Sequence, residues 1–504
     1  MTQEALNELK SRLATIMDLN YASSLLGWDQ RTHMPPGGAR GRAEQLATLQ
    51  RLAHEHFTDP AIGRLLDQLA PLADDSNDTS DDACLIRVTR RDYERATKLP
   101  AEFVSAWARA RTISNKVWED ARRESNFARF RPHLEEQIDF AHRAADYIGY
   151  REHPYDALLD GYEPGMTTAQ VKTLFAELKD GILPLLKAIV AGGVEIDDSI
   201  LHQPFDEARQ EQFGVEIITK FGYDWQRGRQ DRTVHPFAIS FGRDDVRITT
   251  RFYPDFLNAA LFGTMHEAGH AMYEQGTDPA LSRTPLARGA SLGVHESQSR
   301  MWENLVGRSR PFWEANYARL QALFPEQLGR VDLESFYRAI NKVQPSLIRV
   351  EADELTYNLH IMLRFELETE LLEGKIKPAD LAEEWNARMN ALLGVTPDSD
   401  ANGVLQDMHW SGGMIGYFPT YTIGNVLSVQ LWEAALADHP TIPEEIGRNE
   451  FGTLLGWMRE HVHRHGRKFE PNRLIENATG RPLTAAPYLN YLRTKFGAIY
   501  GVQA

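Results

Sequence analysis

The stretch that most constrains the fold is PDFLNAALFGTMHEAGHAMYEQG, Pro254–Gly276, which predicts a single helix. A proline suits the first helical turn, where its missing N–H is not needed, and a glycine suits the left-handed position that ends a helix. Within the stretch, His266, Glu267 and His270 follow the order H-E-x-x-H. Because an α-helix has ~3.6 residues per turn, positions 266 and 270 project from the same face one turn apart.

This spacing predicts a metal site. Two imidazoles one turn apart can bind the same tetrahedral Zn²⁺, and Glu267 beside them can take a proton from a water molecule held at the metal. The alternative is that both histidines are ordinary polar-face residues. However, the flanking residues make the helix apolar on most sides, which predicts burial. Two buried histidines and a buried glutamate are costly unless a metal or polar partners satisfy them, so we favour the metal site.

A catalytic zinc site needs a third protein ligand, because zinc hydrolases keep three and leave the fourth position for water. The extended metzincin pattern would place a glycine and a histidine three and six residues after His270, and neither is present. The next helical pattern, Ala290–Gly307, carries Glu296, which we predict as the third ligand. A surface glutamate is the alternative. Thermolysin-like enzymes place an aspartate four residues after this glutamate, but that position is Arg300, so the carboxylate that orients a histidine is not located.

Composition limits the cellular compartment and the classes of partner that we expect for the protein. The chain has 504 residues, one cysteine, Cys84, and a net charge of −16. A single cysteine excludes an internal disulfide and a thiolate-rich zinc site and fits a reducing compartment, so we expect a cytoplasmic protein. The N-terminus lacks the pattern of a signal peptide, and the longest uncharged run, Ser411–Leu431, is too polar for a membrane span. The acidic charge disfavours nucleic acid and anionic membranes as partners.

Helical patterning dominates the rest of the chain. It predicts helices over Cys84–Lys98, Pro100–Arg123 and Pro132–Ile148, and Thr167 with Gln170 forms a capping-box pattern that starts another. The sequence therefore indicates a mainly α fold.

The exception is a predicted β-hairpin just before the H-E-x-x-H helix. His235–Phe241 and Asp245–Phe252 are rich in β-branched and aromatic residues and are separated by a three-residue turn. In the second strand, Asp245, Arg247 and Thr249 share one polar face. Such a hairpin is either an ordinary amphipathic one or offers an edge that pairs with an extended peptide.

Ordered motifs run along nearly the whole chain, and together they are far more specific than H-E-x-x-H alone. They are Trp28–Leu49, Tyr162–Met166, His235-Pro236-Phe237, D-x-R-x-T from Asp245, H-E-x-x-H from His266, H-E-S-x-S from His295, I-R-x-x-A-D from Ile348, G-x-x-Q-D-x-H-W from Gly403 and Tyr417–Asn425. With these motifs the sequence resembles the carboxypeptidase Taq family of zinc metallocarboxypeptidases.

The resemblance implies several properties that composition and spacing do not. It implies a single catalytic domain over residues 1–504, with a large helical, deep-grooved fold like that of neurolysin and angiotensin-converting enzyme. It also implies a divalent metal that is zinc or sometimes cobalt, a homodimer, and release of single C-terminal residues, with broad specificity, from peptides that have a free C-terminus.

Substrate-binding roles are expected for His235, Asp245, Arg247 and, above all, Arg349. A carboxypeptidase must recognise a free carboxylate, and a guanidinium does so with a bidentate, charge-assisted pair. The resemblance places Arg349 in I-R-x-x-A-D and favours this role. The alternative is that Arg349 pairs with Asp353 one helical turn later.

Oxyanion stabilisation needs a donor besides the metal, and His409, Tyr417 and Tyr421 lie in a glycine-rich stretch where related folds place a histidine and a tyrosine. The spacing from His409 favours Tyr421 slightly over Tyr417.

Two other functions stay open at this point. An oligopeptidase of the same helical clan would share the metal site but cut internally. A non-catalytic helical protein with a structural metal is a different class. A structural zinc ion is bound by four protein ligands, whereas only three are apparent here. Glu267, which could act as a general base, is also present, and both observations argue for catalysis.

Overall fold

The computed structural model of the chain describes residues 2–502 and is mainly α-helical, with one small β-sheet. Its contacts divide the chain into two compact units. The first contains the stretch up to Thr97, Asp197–Ile340 and Ser428–Pro482, and the second contains Lys98–Ile196, Asn341–Leu427 and the stretch from Leu483. Among the described helices, none is both long enough and apolar enough to cross a membrane. The predicted fold class, mainly α with a small sheet, is confirmed.

The first unit contains the N-terminal helices, the sheet and the H-E-x-x-H helix. Its elements are α1 (Thr2–Thr32), α2 (Ala39–Phe57), α3 (Pro60–Leu69), α4 (Asp81–Lys98), α9 (Glu207–Phe221), β1 (Gln230–Arg232), β2 (Ala238–Ser240), β3 (Val246–Thr250), α10 (Leu257–Gly276), α11 (Leu292–Arg300), α12 (Arg310–Leu323), α13 (Pro325–Leu328), α14 (Leu333–Ile340), α18 (Ile442–Ile446), α19 (Gly452–His461) and α20 (Pro471–Thr479).

The second unit is built from helices. They are α5 (Ala101–Glu124), α6 (Phe127–Ile148), α7 (Pro154–Leu159), α8 (Thr168–Gly192), α15 (Tyr357–Leu372), α16 (Leu381–Leu393), α17 (Pro419–Asp438), whose residues from Ser428 count with the first unit, and α21 (Ala486–Tyr500).

Local start signals account for several helix boundaries. The predicted capping box is confirmed, since the Thr167 hydroxyl accepts from the Gln170 N–H and the Gln170 side chain accepts from the Thr167 N–H. The predicted start at Pro132 is wrong, because this proline lies inside α6. The signal that starts α6 is Asn126, whose side chain accepts a hydrogen bond from the Arg129 N–H.

The N-terminal helices form a core of their own within the first unit. The leucines at helical spacing in α1 are buried, and they pack with apolar residues of α3, α4 and the segment after α10. The members of this core are Ala5, Leu6, Leu9, Leu13, Ile16, Ile62, Leu66, Leu69, Cys84, Leu85, Ile86, Leu281, Leu286 and Ala287.

The predicted β-hairpin is present as β2 and β3, which pair antiparallel with Ile239 opposite Arg247. A third strand, β1, was not predicted; it pairs parallel with β3, so the strand order is β1-β3-β2. Val246 and Ile248 are buried on the apolar face of β3. The sheet is tied to α10 by a hydrogen bond of 3.1 Å between the hydroxyls of Thr250 and Thr264.

Both predicted boundary signals of the H-E-x-x-H helix are wrong. Pro254 lies before the helix, which begins at Leu257, and the Pro254 carbonyl accepts from the Phe205 N–H at 2.7 Å. Gly276 is the last helical residue rather than a left-handed residue beyond it. Its role is to leave space for a neighbour, because a Cβ there would lie 2.6 Å from Nδ1 of His463.

Close packing of α10 against α11 depends on Gly269. A Cβ at this position would lie 2.6 Å from the Gln298 carbonyl oxygen and 2.7 Å from Cα of Ser299. Both contacts are with backbone, which cannot move aside as a flexible side chain can. The absence of a side chain at Gly269 therefore sets how near the two helices approach.

We expect Gly269→Ala to destabilise the protein by about 1–3 kcal/mol, the usual range for overpacking a close contact. Gly263→Ala is the matched control, since Gly263 lies on the same helix with nothing within 4 Å of the added Cβ. That substitution should be neutral or stabilise by up to ~1 kcal/mol through helix propensity. Urea unfolding of both variants measures the difference. Equal stability of the two variants would contradict the packing argument.

Candidate metal centre

Three predicted metal ligands converge in the first unit. His266 and His270 of α10 and Glu296 of α11 each offer one donor atom, and these atoms lie within 4.8 Å of one another. Nε2 of His266 is 3.7 Å from Oε2 of Glu296, and Nε2 of His270 is 3.5 Å from the same oxygen. The two nitrogens and the carboxylate oxygen therefore surround a common point.

The other ring nitrogen of each histidine is already engaged. Nδ1 of His266 lies 2.9 Å from Oε2 of Glu303, and Nδ1 of His270 lies 3.0 Å from the His295 carbonyl oxygen. Because both partners are acceptors, the proton of each neutral imidazole belongs on Nδ1, and Nε2 presents a lone pair toward Glu296. Two imidazole nitrogens and one carboxylate are the ligand set of a catalytic divalent metal, so these residues fit the ion.

Glu303 is the carboxylate that orients a ligand histidine, which the sequence analysis did not identify. It follows α11 in a short π-helix, Met301–Val306, which changes the residue spacing relative to an α-helix. The expected position, four residues after Glu296, is Arg300, which instead binds both carboxylates. Its Nε donates to Glu296 Oε1 at 2.7 Å, and its Nη1 donates to Glu303 Oε2 at 3.2 Å. A search for acidic residues within two turns of Glu296 would have found Glu303.

Neighbouring charges keep both carboxylates ionised. Burial opposes ionisation of Glu296, but the Arg300 guanidinium and His266 outweigh it and hold the pKa of Glu296 well below its usual range. Burial likewise opposes ionisation of Glu303, and Arg300 with His266 lowers its pKa to about 2. Glu296 is therefore deprotonated, as a carboxylate must be to bind a metal ion.

The surroundings shift the pKa values of the two histidines in opposite directions. Burial disfavours the charged form of His266, but Glu296 and Glu303 outweigh it and raise its pKa. Burial and the neighbouring His295 lower the pKa of His270 to about 3. The difference has a simple cause: a carboxylate contacts Nδ1 of His266, whereas Nδ1 of His270 faces a carbonyl and a second imidazole.

Glu267 lies next to the ligands in sequence but outside their group of converging donor atoms. Its side chain is buried, and burial raises the pKa of Glu267 to about 7, against the opposing effect of His266. A carboxyl group whose pKa is near the ambient pH exchanges a proton easily, which is what a general base requires.

Arg349 lies in the second unit, where its guanidinium is buried against Asp407. Nε and Nη2 donate to Asp407 Oδ1 at 3.0 and 2.8 Å, and Nη1 donates to the Tyr357 hydroxyl at 2.8 Å. The alternative that Arg349 pairs with Asp353 is wrong. Asp353 accepts from the N–H groups of Leu355 and Thr356 and from the Thr356 hydroxyl.

Asp407 also binds a second buried guanidinium, that of Arg364, whose Nε donates to Oδ2 at 2.6 Å. Burial opposes ionisation of Asp407, but Arg349 and Arg364 outweigh it and hold its pKa far below the usual range. Two guanidinium groups share one carboxylate, so these three residues together carry one excess positive charge. Burial lowers the pKa of Arg364, as expected for a cation that shares its counter-ion.

The predicted oxyanion residues lie together in the second unit. Nε2 of His409 is 3.3 Å from the Tyr421 hydroxyl, whereas Tyr417 contacts His409 through its ring, with centroids 5.2 Å apart. Burial lowers the pKa of His409 to about 3, so the imidazole is neutral at ordinary pH. The Arg349 guanidinium lies 5.0 Å from the centre of the Tyr421 ring.

Glu368 holds the loop that carries these residues. Its carboxylate accepts from the Trp410 indole at 2.8 Å, the Gly416 N–H at 3.1 Å and the Tyr155 hydroxyl at 2.7 Å. Burial raises the pKa of Glu368 to about 7. Arg364 and Glu368 are one turn apart on α15, so neighbouring positions of one helix hold both Asp407 and the segment Trp410–Gly416.

The hairpin residues have other contacts. Arg247 and Asp245 form a bidentate pair with distances of 2.8 and 2.7 Å, and the Arg247 guanidinium lies 4.4 Å from the centre of the Trp28 ring on α1. His235 is exposed, just before β2. The roles of His235, Asp245 and Arg247 in substrate binding stay predictions. Arg247 in addition connects α1 to the sheet.

Comparisons with known proteins agree with this geometry. The sequence profile described as carboxypeptidase Taq (M32) metallopeptidase matches residues 8–496. Thermostable carboxypeptidase 1 of Thermus thermophilus is 46% identical over 95% of each chain, and carboxypeptidase 1 of Bacillus subtilis is 41% identical over 97% of each. The crystal structure of the M32 carboxypeptidase from Deinococcus radiodurans R1 has a TM-score of 0.95 at 46% identity, covering 99% of this chain and 100% of that one.

These matches span nearly the whole chain, and every relative named is a carboxypeptidase, so the internally cutting alternative is not favoured. A His-His-Glu cluster that can hold a divalent metal stands where the H-E-x-x-H helix predicts it. The chain therefore belongs to the carboxypeptidase Taq (M32) metallopeptidase family and is a metal-dependent carboxypeptidase, a hydrolase of peptides.

Proposed function

We propose that His266, His270 and Glu296 hold one catalytic zinc ion, which cobalt can replace, and that Glu267 is the general base. The observation that carries the proposal is the convergence of two Nε2 atoms on Oε2 of Glu296, with each Nδ1 engaged by an acceptor. When bound, a divalent ion supplies Lewis-acid polarisation of the scissile carbonyl and a lowered pKa for water.

Glu267 acts on protons in this proposal and does not bind the ion. Its carboxylate removes a proton from the attacking water and delivers it to the amine that leaves when the peptide bond breaks. The raised pKa of about 7 supports both steps, because the group can be unprotonated before attack and still hold the proton afterwards. A carboxyl group with its ordinary pKa would be a weaker acid–base partner at neutral pH.

Arg349 binds the free carboxylate of the substrate in this proposal. The support is electrostatic: Arg349, Arg364 and Asp407 carry one excess positive charge, and a substrate carboxylate would neutralise it. Asp407 and Tyr357 hold the guanidinium in one orientation, which reduces the entropy lost on binding. An amidated C-terminus brings no charge and cannot make the same pair.

Tyr421 is the preferred donor to the oxyanion, assisted by His409. The Tyr421 hydroxyl and Nε2 of His409 lie 3.3 Å apart, and a neutral imidazole can exchange donor and acceptor roles with a phenol. Tyr417 stays the second choice, because it meets His409 ring to ring, with centroids 5.2 Å apart, whereas the Tyr421 hydroxyl faces a ring nitrogen of His409. His235, Asp245 and Arg247 are kept as candidate peptide contacts beside β2.

The remaining features extend the proposal to the whole protein. Residues 1–504 work as one catalytic domain that removes single C-terminal residues of broad type, and the support is the family match over residues 8–496. Two copies form a homodimer, and the setting is cytoplasmic, which the single buried thiol of Cys84 fits. Nucleic acid and membranes are not partners of so acidic a chain.

Metal analysis tests the ligand set. We expect the purified protein to bind one zinc ion per chain, and His266→Ala, His270→Ala and Glu296→Ala each to lose it, because two remaining donors bind zinc far more weakly than three. Equilibrium dialysis followed by atomic emission gives the stoichiometry. If Glu296→Ala kept a full equivalent of zinc, another residue would be the third ligand.

Glu267→Gln separates the base from the ligands. This variant should keep one equivalent of zinc while kcat falls about 10²–10⁴-fold, the usual contribution of a general base. Steady-state kinetics and metal analysis on one preparation provide both values. Loss of zinc comparable to that in His266→Ala would show that Glu267 is a ligand instead.

A peptide in free-acid and amidated forms tests the role of Arg349. The wild type should release C-terminal residues one at a time from the acid and leave the amide intact. Arg349→Ala should lose at least about 10-fold in kcat/KM on the acid, since each hydrogen bond to a charged group contributes about 1.5–3 kcal/mol. The measurement is mass spectrometry of the products over time.

Arg388→Ala is the matched control for that experiment. Arg388 is also largely buried and ion-paired, with Glu370, in the second unit. It should retain the wild-type preference for the free acid. Internal fragments produced equally from both peptides would contradict exopeptidase action, and an unchanged preference in Arg349→Ala would contradict the role of that residue.

A further inference from the structure

His295 of α11 connects two side chains of α10. Its Nδ1 lies 2.6 Å from Nδ1 of His270, and its Nε2 lies 2.9 Å from Oε1 of Glu274. Residues 270 and 274 are one turn apart, so their side chains project from the same face of α10. A single imidazole therefore bridges consecutive turns of the helix that carries the metal ligands.

The positions of the protons follow from these contacts. His270 directs Nε2 toward Glu296, so its proton is on Nδ1. A second proton on Nδ1 of His295 would put two hydrogens into a gap of 2.6 Å, so this nitrogen is bare and accepts. The His295 proton is then on Nε2 and is donated to the Glu274 carboxylate.

Packing holds the His295 ring in this place. Its centroid is 4.5 Å from that of His270 and 5.3 Å from that of Tyr273. The Tyr273 hydroxyl is itself fixed, because it accepts from the Ala290 N–H at 3.0 Å. On another side Gly289 makes room, since a Cβ there would lie 3.0 Å from Cδ2 of His295.

We infer that His295, held by Glu274, is a positioning residue for the metal ligand His270. This inference rests on the proposed function, in which His270 binds the metal. The Nδ1–H of His270 is shared between the His295 carbonyl oxygen at 3.0 Å and Nδ1 of the His295 ring at 2.6 Å. The ring contact fixes the orientation of the His270 imidazole, and Glu274 fixes His295 in turn. Each ligand histidine is then linked to a carboxylate by hydrogen bonds: Glu303 contacts His266 directly, and Glu274 is linked to His270 through His295.

Residues that hydrogen-bond to a metal ligand contribute about 10–100-fold to metal affinity. His295→Phe keeps a ring but removes both nitrogens, so its dissociation constant for Zn²⁺ should rise within that range. His295→Asn restores an acceptor near the position of Nδ1 and should recover part of the loss. Glu274→Ala should raise the constant by about 10-fold, and Glu274→Gln, which can still accept, by less. Competition for Zn²⁺ with a chromophoric chelator measures each value.

A second His–Glu pair in the chain provides the matched control. Nε2 of His153 lies 2.9 Å from Oε1 of Glu373, the same distance as in the His295–Glu274 pair, and both pairs are mostly buried. This pair belongs to the second unit and contacts no predicted metal ligand. Glu373→Ala should therefore leave the Zn²⁺ dissociation constant unchanged.

Thermal unfolding in the presence of chelator separates positioning from folding. A positioning role predicts wild-type midpoints for His295→Asn and Glu274→Gln under chelator, together with altered Zn²⁺ affinity in His295→Phe and Glu274→Ala. Wild-type Zn²⁺ affinity in both of those variants would overturn the inference. If His295→Phe fails to fold, the two Glu274 variants decide: equal affinity in both would also overturn it.

Failure of this inference is distinguishable from failure of the proposed function. Retention of Zn²⁺ by His270→Ala would contradict the ligand set itself. Loss of Zn²⁺ by His270→Ala, with wild-type affinity in His295→Phe, would leave the ligand set intact and reject only the role of His295.

Discussion

The close approach of α10 and α11 at Gly269 is the contact on which the metal centre depends. Two imidazoles on one helix make only part of a site, and the third donor must come from another backbone. Gly269 lies between His266 and His270, and its missing side chain lets the backbone at Gln298 and Ser299 approach within contact distance. That contact places Glu296 opposite both histidines. A methyl group at Gly269 would act on the site and on the fold together.

Buried charge in both units is balanced by specific partners rather than left to solvent. In the first unit Arg300 lies between Glu296 and Glu303 and helps to keep both ionised, so the single anionic ligand and the carboxylate that contacts His266 are already stabilised by the protein. In the second unit the charge balance is incomplete, since the single carboxylate of Asp407 forms ion pairs with both Arg349 and Arg364. An incompletely balanced buried cation favours an anionic ligand, and a peptide carboxylate is one.

The sequence predicted those parts of the fold and site that depend on local pattern. The H-E-x-x-H stretch located α10, although both of its predicted end signals were wrong. The strand pattern located β2 and β3, and the capping box located the start of α8, because each signal acts within a few residues. Glu296 was found only by asking which later helix could supply a donor. The family motifs placed Arg349 but did not identify its partner.

The parts that sequence missed depend on contacts between distant segments. Gly276 was interpreted as a helix terminator, although it makes room for His463, which is far along the chain. Glu303 was missed because it lies seven residues after Glu296 rather than four, and because the histidine that it contacts, His266, is 37 positions away in sequence. Asp407 lies 58 positions from Arg349, and helix spacing alone favoured the nearer Asp353. Such pairings are set by tertiary packing, and a single sequence carries no local signal for them.

The most direct test of the account is a crystal structure of the zinc-loaded protein with anomalous data collected at the zinc edge. We predict one strong anomalous peak per chain, bound to Nε2 of His266, Nε2 of His270 and a carboxylate oxygen of Glu296 at about 2.0–2.2 Å, with Glu267 outside this distance. A peak ligated through Nδ1 of either histidine, or a peak that does not contact Glu296, would contradict it.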